Sequence, residues 1–346
     1  MKKIAILGAG SWGTALAIVL SRSAQPHHVA MWVHDAGLAE SLRRERINHA
    51  YLPGHTLAPE IVITNDLPEA IDTADIVVGA MPSAFARKIY SAVRPLWRAD
   101  TIIISATKGL EPASHLRMSQ VIADVLGEEA ALRTAILSGP SFAAEVAQGQ
   151  PTAVVAAGRP ILELARVSGR HYLDPASEAQ VQFASPGFRV YTNTDIIGVE
   201  LAGAMKNVIA IAAGVCGGLG LGSNSLAALI TRGLAEMTRL ATKLGARPET
   251  LSGLAGLGDL VLTCHGALSR NRHVGVQLGK GRKLPEILAK MKMIAEGVET
   301  TAALLDLAGE AQVELPITEQ VNAILREGKR PADAIQSVME RPAKPE

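Results

Sequence analysis

The stretch "KKIAILGAGSWGTALA", from Lys2 to Ala17, constrains the fold of this chain more than any other part of it. Ile4 to Leu7 is a short apolar run with branched side chains, as in a buried β-strand, and it stops at Gly8-Ala9-Gly10-Ser11-Trp12-Gly13. Apolar residues then recur at helical spacing, at Leu16, Val19 and Leu20. The order strand, glycine turn, helix has a physical use. Gly8 permits a tight turn, Gly10 lets backbone approach a pyrophosphate, and Gly13 allows close helix–strand packing. The helix N-terminus adds amide donors and the positive end of its dipole. A secretory signal competes for the same residues, because Lys2 and Lys3 give a basic start before an apolar core. A second strand, His28-Val29-Ala30-Met31-Trp32-Val33, favours the dinucleotide site. It ends at His34 and Asp35, about 20 residues beyond the turn, where a ribose-reading residue is expected.

Further apolar runs bounded by turn signals follow at Ile61-Val62-Ile63, Ile76-Val77-Val78, Thr101-Ile102-Ile103-Ile104, Ala135-Ile136-Leu137 and Ala153-Val154-Val155. They alternate with helix-like segments, which predicts parallel strands joined by crossover helices. Phe188-Arg189-Val190-Tyr191 reads as the last strand, and from about Thr194 the pattern changes to long helical segments rich in Ala, Leu and Gly. Single cores rarely grow past about 250–300 residues, so a chain of 346 divides in two. The expected boundary is residue 190, with a dinucleotide-binding domain over 1–190 and an α-helical substrate and catalytic domain over 191–346.

Charge and cysteine usage exclude several classes of partner. The formal net charge is +1 and no run of five like charges occurs, so nothing marks a nucleic-acid or anionic-lipid surface, and a small molecule is the expected partner. Cys216 and Cys264 are the only cysteines; they lack metal-ligand spacing and give no disulfide framework, which fits a reducing cytoplasm. His265 and His273 have no carboxylate placed to build a metal site with them, so no metal is expected. The uncharged stretch Asn207 to Thr231 has membrane-spanning length, but glycines 214, 217, 218, 220 and 222 interrupt it. It reads as a buried helix running into a glycine loop, with no stable membrane insertion. A homodimer is an open alternative to a monomer.

Candidate chemistry begins at Lys206, the one charge in Leu201 to Val215, a helix otherwise apolar on every face. A buried lysine is expensive unless paired or used. Ala202, Gly203, Ala210 and Ala213 share its face, and their small side chains leave room for a ligand; an ion-paired structural lysine is the alternative. Lys108, in "SATKGLE", follows a strand at its carboxyl end, where ligands collect in open α/β sheets. In "LSGPSFAAE" a strand ends near Ser138, and Gly139-Pro140 can begin a helix whose free amides, with Ser141, suit an anionic or hydroxylated substrate. "GLAGLGDLVLTCHGALSRNRHVG" brings Asp259, Thr263, Ser269, Arg270, Asn271 and Arg272 into a short span. Its arginines are planar, always charged and able to grip phosphate in bidentate fashion, with Asn271 a plausible helix cap.

The blocks "GAGSWGTALA", "TKGLE", "SGPSFAAEVA", "GVELAGAMKNVIAIAAG", "GLAGLGDLVLTC", "SRNRHVG" and "AEGVETT", in this order and spacing, resemble the bacterial NAD(P)-dependent glycerol-3-phosphate dehydrogenases over nearly the whole chain. The resemblance implies an α/β N-terminal Rossmann-type doubly wound sheet followed by a mainly α-helical C-terminal domain. It implies reversible reduction of dihydroxyacetone phosphate to sn-glycerol 3-phosphate by NADPH or NADH, for phospholipid synthesis. By position, Lys206 would donate and accept the proton, and Lys108 would touch both substrate and cofactor. Gly139, Ser141, Asp259, Thr263, Ser269, Arg270 and Asn271 would line the substrate site. Ser11, Trp12, His34, Ala143, Arg270 and Glu296 match cofactor positions, beside Gly8, Gly10 and Gly13 of the turn. Two residues depart from the pattern: His34 stands where arginine is common, which opens the choice between NADP and NAD, and Met81 replaces the commoner valine before Pro82-Ser83. Two other readings compete: a 6-phosphogluconate or nucleotide-sugar type oxidation, the latter needing a nucleophilic cysteine such as Cys264, and a dinucleotide-sensing protein without turnover.

Overall fold

The computed structural model describes residues 1–160, 174–291 and 295–343. Its chain forms two compact units, one of Met1–Glu111 with Leu116–Glu200 and one of Pro112–His115 with Leu201–Glu346.

In the first unit, among the described residues, eight strands form one sheet in the order β10-β9-β8-β7-β6-β1-β2-β5. Central β1 (Lys2–Leu7) pairs in parallel with β2 (His27–Trp32) and β6 (Ile76–Gly79), Ile4 standing opposite both Val29 and Ile76. A strand covered on both faces must be apolar at every position. Accordingly, Ile4 and Ile6 enter one core while Ala5 and Leu7 enter the other. Beyond β2 lies β5 (Val62–Thr64), and beyond β6 lie β7 (Ile102–Ser105) and β8 (Thr134–Ser138), all in parallel. A small hairpin, β3 (Ile47–Asn48) with β4 (Leu52–Thr56), stands apart from the sheet and has no counterpart in the sequence reading.

The expectation of parallel strands throughout fails at β9 (Thr152–Ala157), which runs antiparallel to β8. The helix between them, Ala143–Gln148, has only six residues. It packs against the helix Ser11–Ser21, the chain turns back along β8 instead of crossing over, and β10 (Phe188–Asn193) then follows β9 in parallel.

The helix that carries Lys206, here the lysine helix, extends over Ile196–Gly218, and the units divide within it, between Glu200 and Leu201. The break falls beyond the expected residue 190, because Phe188–Asn193 completes the sheet and Asp195 Oδ1 accepts from Gly198 N at 2.8 Å in the helix's first turn. Although long and apolar enough to cross a membrane, its most apolar window is 89% buried inside the protein.

In the second unit the lysine helix runs parallel to Arg270–Gly279, the arginine helix, and two glycine pairs bring the backbones together. A Cβ on Gly275 would stand 2.0 Å from the Ile211 carbonyl oxygen, and one on Gly279 would stand 2.6 Å from that of Val215. Gly214 and Gly218 are equally intolerant from the other side, at 2.1 Å from Arg272 O and 2.4 Å from Val276 O. Ala202, Gly203, Ala210 and Ala213, which share a helix face with Lys206, are all buried.

Candidate active site

In the first unit, Gly8 has φ +121° and a Cβ there would meet Ala80 O at 2.8 Å, while a Cβ on Gly13 would lie 1.9 Å from Gly8 O. The turn is thereby folded onto its own helix, as the spacing of these glycines requires. Gly10 differs: an added Cβ meets nothing within 4 Å, and no side chain caps the helix Ser11–Ser21 that follows. Bare amides of a helix N-terminus therefore border open space, a receptacle for phosphate oxygens. Ser11 and Trp12 form the first turn, the Trp12 ring tilted against Phe188 at 6.4 Å. After β2, Asp35 Oδ1 accepts from Leu38 N at 2.6 Å and so caps the helix Ala36–Glu45. His34 is exposed, its ring 5.6 Å from Trp32.

The ends of β6, β7 and β8 are tied together. Thr107 Oγ1 donates to Met81 O at 2.9 Å and lies 3.2 Å from Met81 Sδ, so the unusual Met81 side chain is turned inward and buried. Half-buried Lys108 donates through Nζ to Gly139 O at 3.1 Å, and Ser141 Oγ donates to the same oxygen at 3.0 Å. Gly139, at φ +134°, would bring a Cβ within 2.9 Å of Val154 Cα. That backbone cannot start a helix, so the helix expected at Gly139-Pro140 begins instead at Ala143 after an extended Phe142.

In the second unit, Lys206 is 6% exposed and Asp259 1%. Lys206 Nζ donates to Asp259 Oδ1 at 2.5 Å and to Thr263 Oγ1 at 3.0 Å, and the Thr263 hydroxyl donates in turn to Asp259 O at 2.6 Å. The "GLAGLG" segment makes this possible. Leu254–Gly258 winds as a π-turn closed by Gly258 N donating to Gly253 O at 3.1 Å, with Gly256 so near Leu251 O that a Cβ would stand 1.9 Å away. The helix Asp259–His265 starts directly from it and places Asp259 and Thr263, one turn apart, against the lysine. The carboxylate and the hydroxyl hold the buried ammonium in a fixed position, as proton transfer to a bound ligand requires.

The arginine helix is capped by Ser269, whose Oγ accepts from Arg272 N at 3.2 Å. Asn271 is thus not the cap expected from the sequence. It is buried in the first turn, and its Oδ1 accepts from Gly297 N at 3.0 Å. Arg270 is exposed at the first position of the helix. Glu296 directly precedes the helix Gly297–Ala311, and its carbonyl accepts from Thr300 Oγ1 at 2.8 Å. The Asn271–Gly297 link was missed in the sequence; its only signal is the glycine of "AEGVETT". Cys264 is fully enclosed, and burial pushes its thiol up to about 12. A buried, protonated thiol is inert, which counts against the nucleotide-sugar reading.

Residues 3–161 match the sequence profile of the NAD-dependent glycerol-3-phosphate dehydrogenase N-terminus, and residues 195–336 match that of its C-terminus. A glycerol-3-phosphate dehydrogenase, NAD(P)+, of Koribacter versatilis is 50% identical over 344 residues, which are 99% of this chain and 98% of the relative. The same enzyme of Geobacter sulfurreducens is 50% identical over 347 residues, 100% of this chain and 99% of the relative. The crystal structure of the Coxiella burnetii glycerol-3-phosphate dehydrogenase superposes with a TM-score of 0.88 at 40% identity, covering 98% of this chain and 99% of the other. This chain belongs to the NAD-dependent glycerol-3-phosphate dehydrogenase family, and it is an oxidoreductase.

Proposed function

We propose that the protein reduces dihydroxyacetone phosphate to sn-glycerol 3-phosphate, reversibly, with NADPH or NADH, in the cytoplasm and in the service of glycerophospholipid synthesis. The observation that carries the reading is the buried Lys206–Asp259–Thr263 cluster. The glycine turn fits a dinucleotide, because the space over Gly10 is open and the helix amides beyond it are uncapped. Residues to hold the cofactor are Gly8, Gly10, Ser11, Trp12, Gly13, His34, Lys108 and Ala143, with Arg270 and Glu296. When bound, the reduced nicotinamide supplies a hydride to the carbonyl carbon.

Reduction of a ketone builds negative charge on its oxygen, and Lys206 Nζ is the proton donor to that oxygen. Asp259 keeps the amine charged and aimed, and Thr263 fixes its second hydrogen bond. Lys108, Gly139 and Ser141 orient the substrate, while Ser269, Arg270 and Asn271 meet its phosphate, Arg270 with the fork geometry that suits a dianion. The test is the loss of NAD(P)H absorbance when dihydroxyacetone phosphate is added to purified protein. Turnover of the phosphate with almost none of free dihydroxyacetone is expected; equal turnover of the two, or no oxidation of either cofactor, overturns the reading.

A further inference from the structure

We infer that Asn271 is a positioning residue as well as a phosphate-facing one: its side-chain oxygen fixes the first turn of the helix Gly297–Ala311, and so the place of Glu296. The inference rests on the assignment above of Asn271 to substrate and Glu296 to cofactor, and goes beyond it by joining the two. The buried Asn271 Oδ1 accepts from Gly297 N at 3.0 Å. That amide lies in the first turn of a helix, where backbone donors have no partner of their own, and the asparagine supplies one from another helix. Gly297 also has no room for a side chain: a Cβ there would stand 2.8 Å from both Asn207 O and Asn271 Oδ1. Asn207 follows Lys206 on the lysine helix. One backbone amide thus links the starts of two helices, and the glycine that carries it packs against the carbonyl of Asn207, beside the candidate proton donor.

The chemistry of a carboxamide makes the two roles separable. With its oxygen committed to Gly297, Asn271 has only its NH2 group to offer a phosphate oxygen. Asn271→Asp keeps the acceptor and loses the donor, and an acid is well placed in the first turn of a helix. Asn271→Ala loses both. NADPH binding without substrate, followed by fluorescence titration, is expected to weaken about fivefold or more in the alanine variant, the scale of one lost hydrogen bond. The aspartate variant should bind NADPH within about twofold of wild type while its KM for dihydroxyacetone phosphate rises about tenfold or more. Hydrogen exchange at the Gly297 amide should be faster in Asn271→Ala and unchanged in Asn271→Asp. Unaltered NADPH affinity in the alanine variant, or equal weakening in both, overturns the inference. If alanine prevents folding, the aspartate variant decides alone, weakened NADPH binding overturning it. Exchange at Gly297 reads the link without any ligand. A wild type that binds no NADPH therefore removes the functional reading, while an alanine variant with protected Gly297 removes this one.

Discussion

Removing the charge of Lys206 has two consequences that separate experimentally. Lys206→Met should lower kcat at least about a hundredfold, the usual scale for losing a general acid. It also takes the lysine from the buried carboxylate of Asp259, and breaking a buried ion pair costs about 3–5 kcal/mol. Replacing both, as Lys206→Met with Asp259→Leu, should recover most of that stability in denaturant titrations and none of the activity. Position 34 allows a second test. His34 is exposed at the end of β2, and Asp35 is engaged as a helix cap, so both cofactors should work with NADPH modestly ahead. His34→Arg should widen that preference; an unchanged ratio of kcat/KM values would remove His34 from the choice. Lys206 was legible because a single charge breaks an apolar helix. Its pairing with Asp259 was not, because the two are 53 positions apart and a π-turn leaves no periodic trace.

At the scale of elements, close backbone contact decides what can change. Gly275→Ala would put a methyl carbon 2.0 Å from a carbonyl oxygen of the lysine helix. The helices must separate, so a loss of about 3 kcal/mol or more in unfolding free energy is expected, with reduced kcat because Arg270 and Lys206 sit on the same pair. Another element contact should respond to pH. Glu236, in the helix Ser223–Lys243, accepts from Ile317 N at 2.6 Å and from Thr318 N at 3.3 Å, pinning the start of the helix Pro316–Arg326. Burial raises its carboxyl from 4.5 to about 7, against those two amides, Arg239 and the Thr318 hydroxyl, all of which favour the charged form. The folded pKa lies above the unfolded one, so the stabilisation is fully present below about 4.5 and is lost as pH rises through about 7, on the order of 3 kcal/mol in all. Glu236→Gln should therefore flatten the stability difference between pH 5 and pH 8, measured by urea unfolding at each pH. Strands β1, β2 and β5 to β10 were readable from apolar runs. The reversal at β9 was not, because an apolar run such as Ala153-Val154-Val155 reads the same in either strand direction. In "LAEMTRL" Glu236 looks like an ordinary surface charge, and only the fold shows what it holds.

For the whole molecule, ligand binding and chain topology matter most. NADPH at a hundred times its Kd should add about 2.7 kcal/mol of stability, seen as a rise in Tm. Gly10→Ala, whose methyl meets open space, should leave the unliganded Tm nearly unchanged and abolish the rise. The change from sheet to helices was legible in the composition, but how the chain distributes itself between the units was not. Pro112–His115 leave the first unit after Glu111, whose amide donates to Leu116 O at 2.9 Å, and belong to the second, where His115 lies 3.5 Å from Asp306. The polypeptide passes between the units at 111–112, at 115–116 and again inside a continuous helix at 200–201. Genes of modular enzymes can trade a cofactor-binding half by a single recombination at a linker. Here one crossover after residue 200 would split a helix and import residues 112–115 from a parent that did not evolve with the partner half. Chimaeras between diverged relatives should work only when that four-residue insert travels with the C-terminal portion, so the two halves are inherited as one unit.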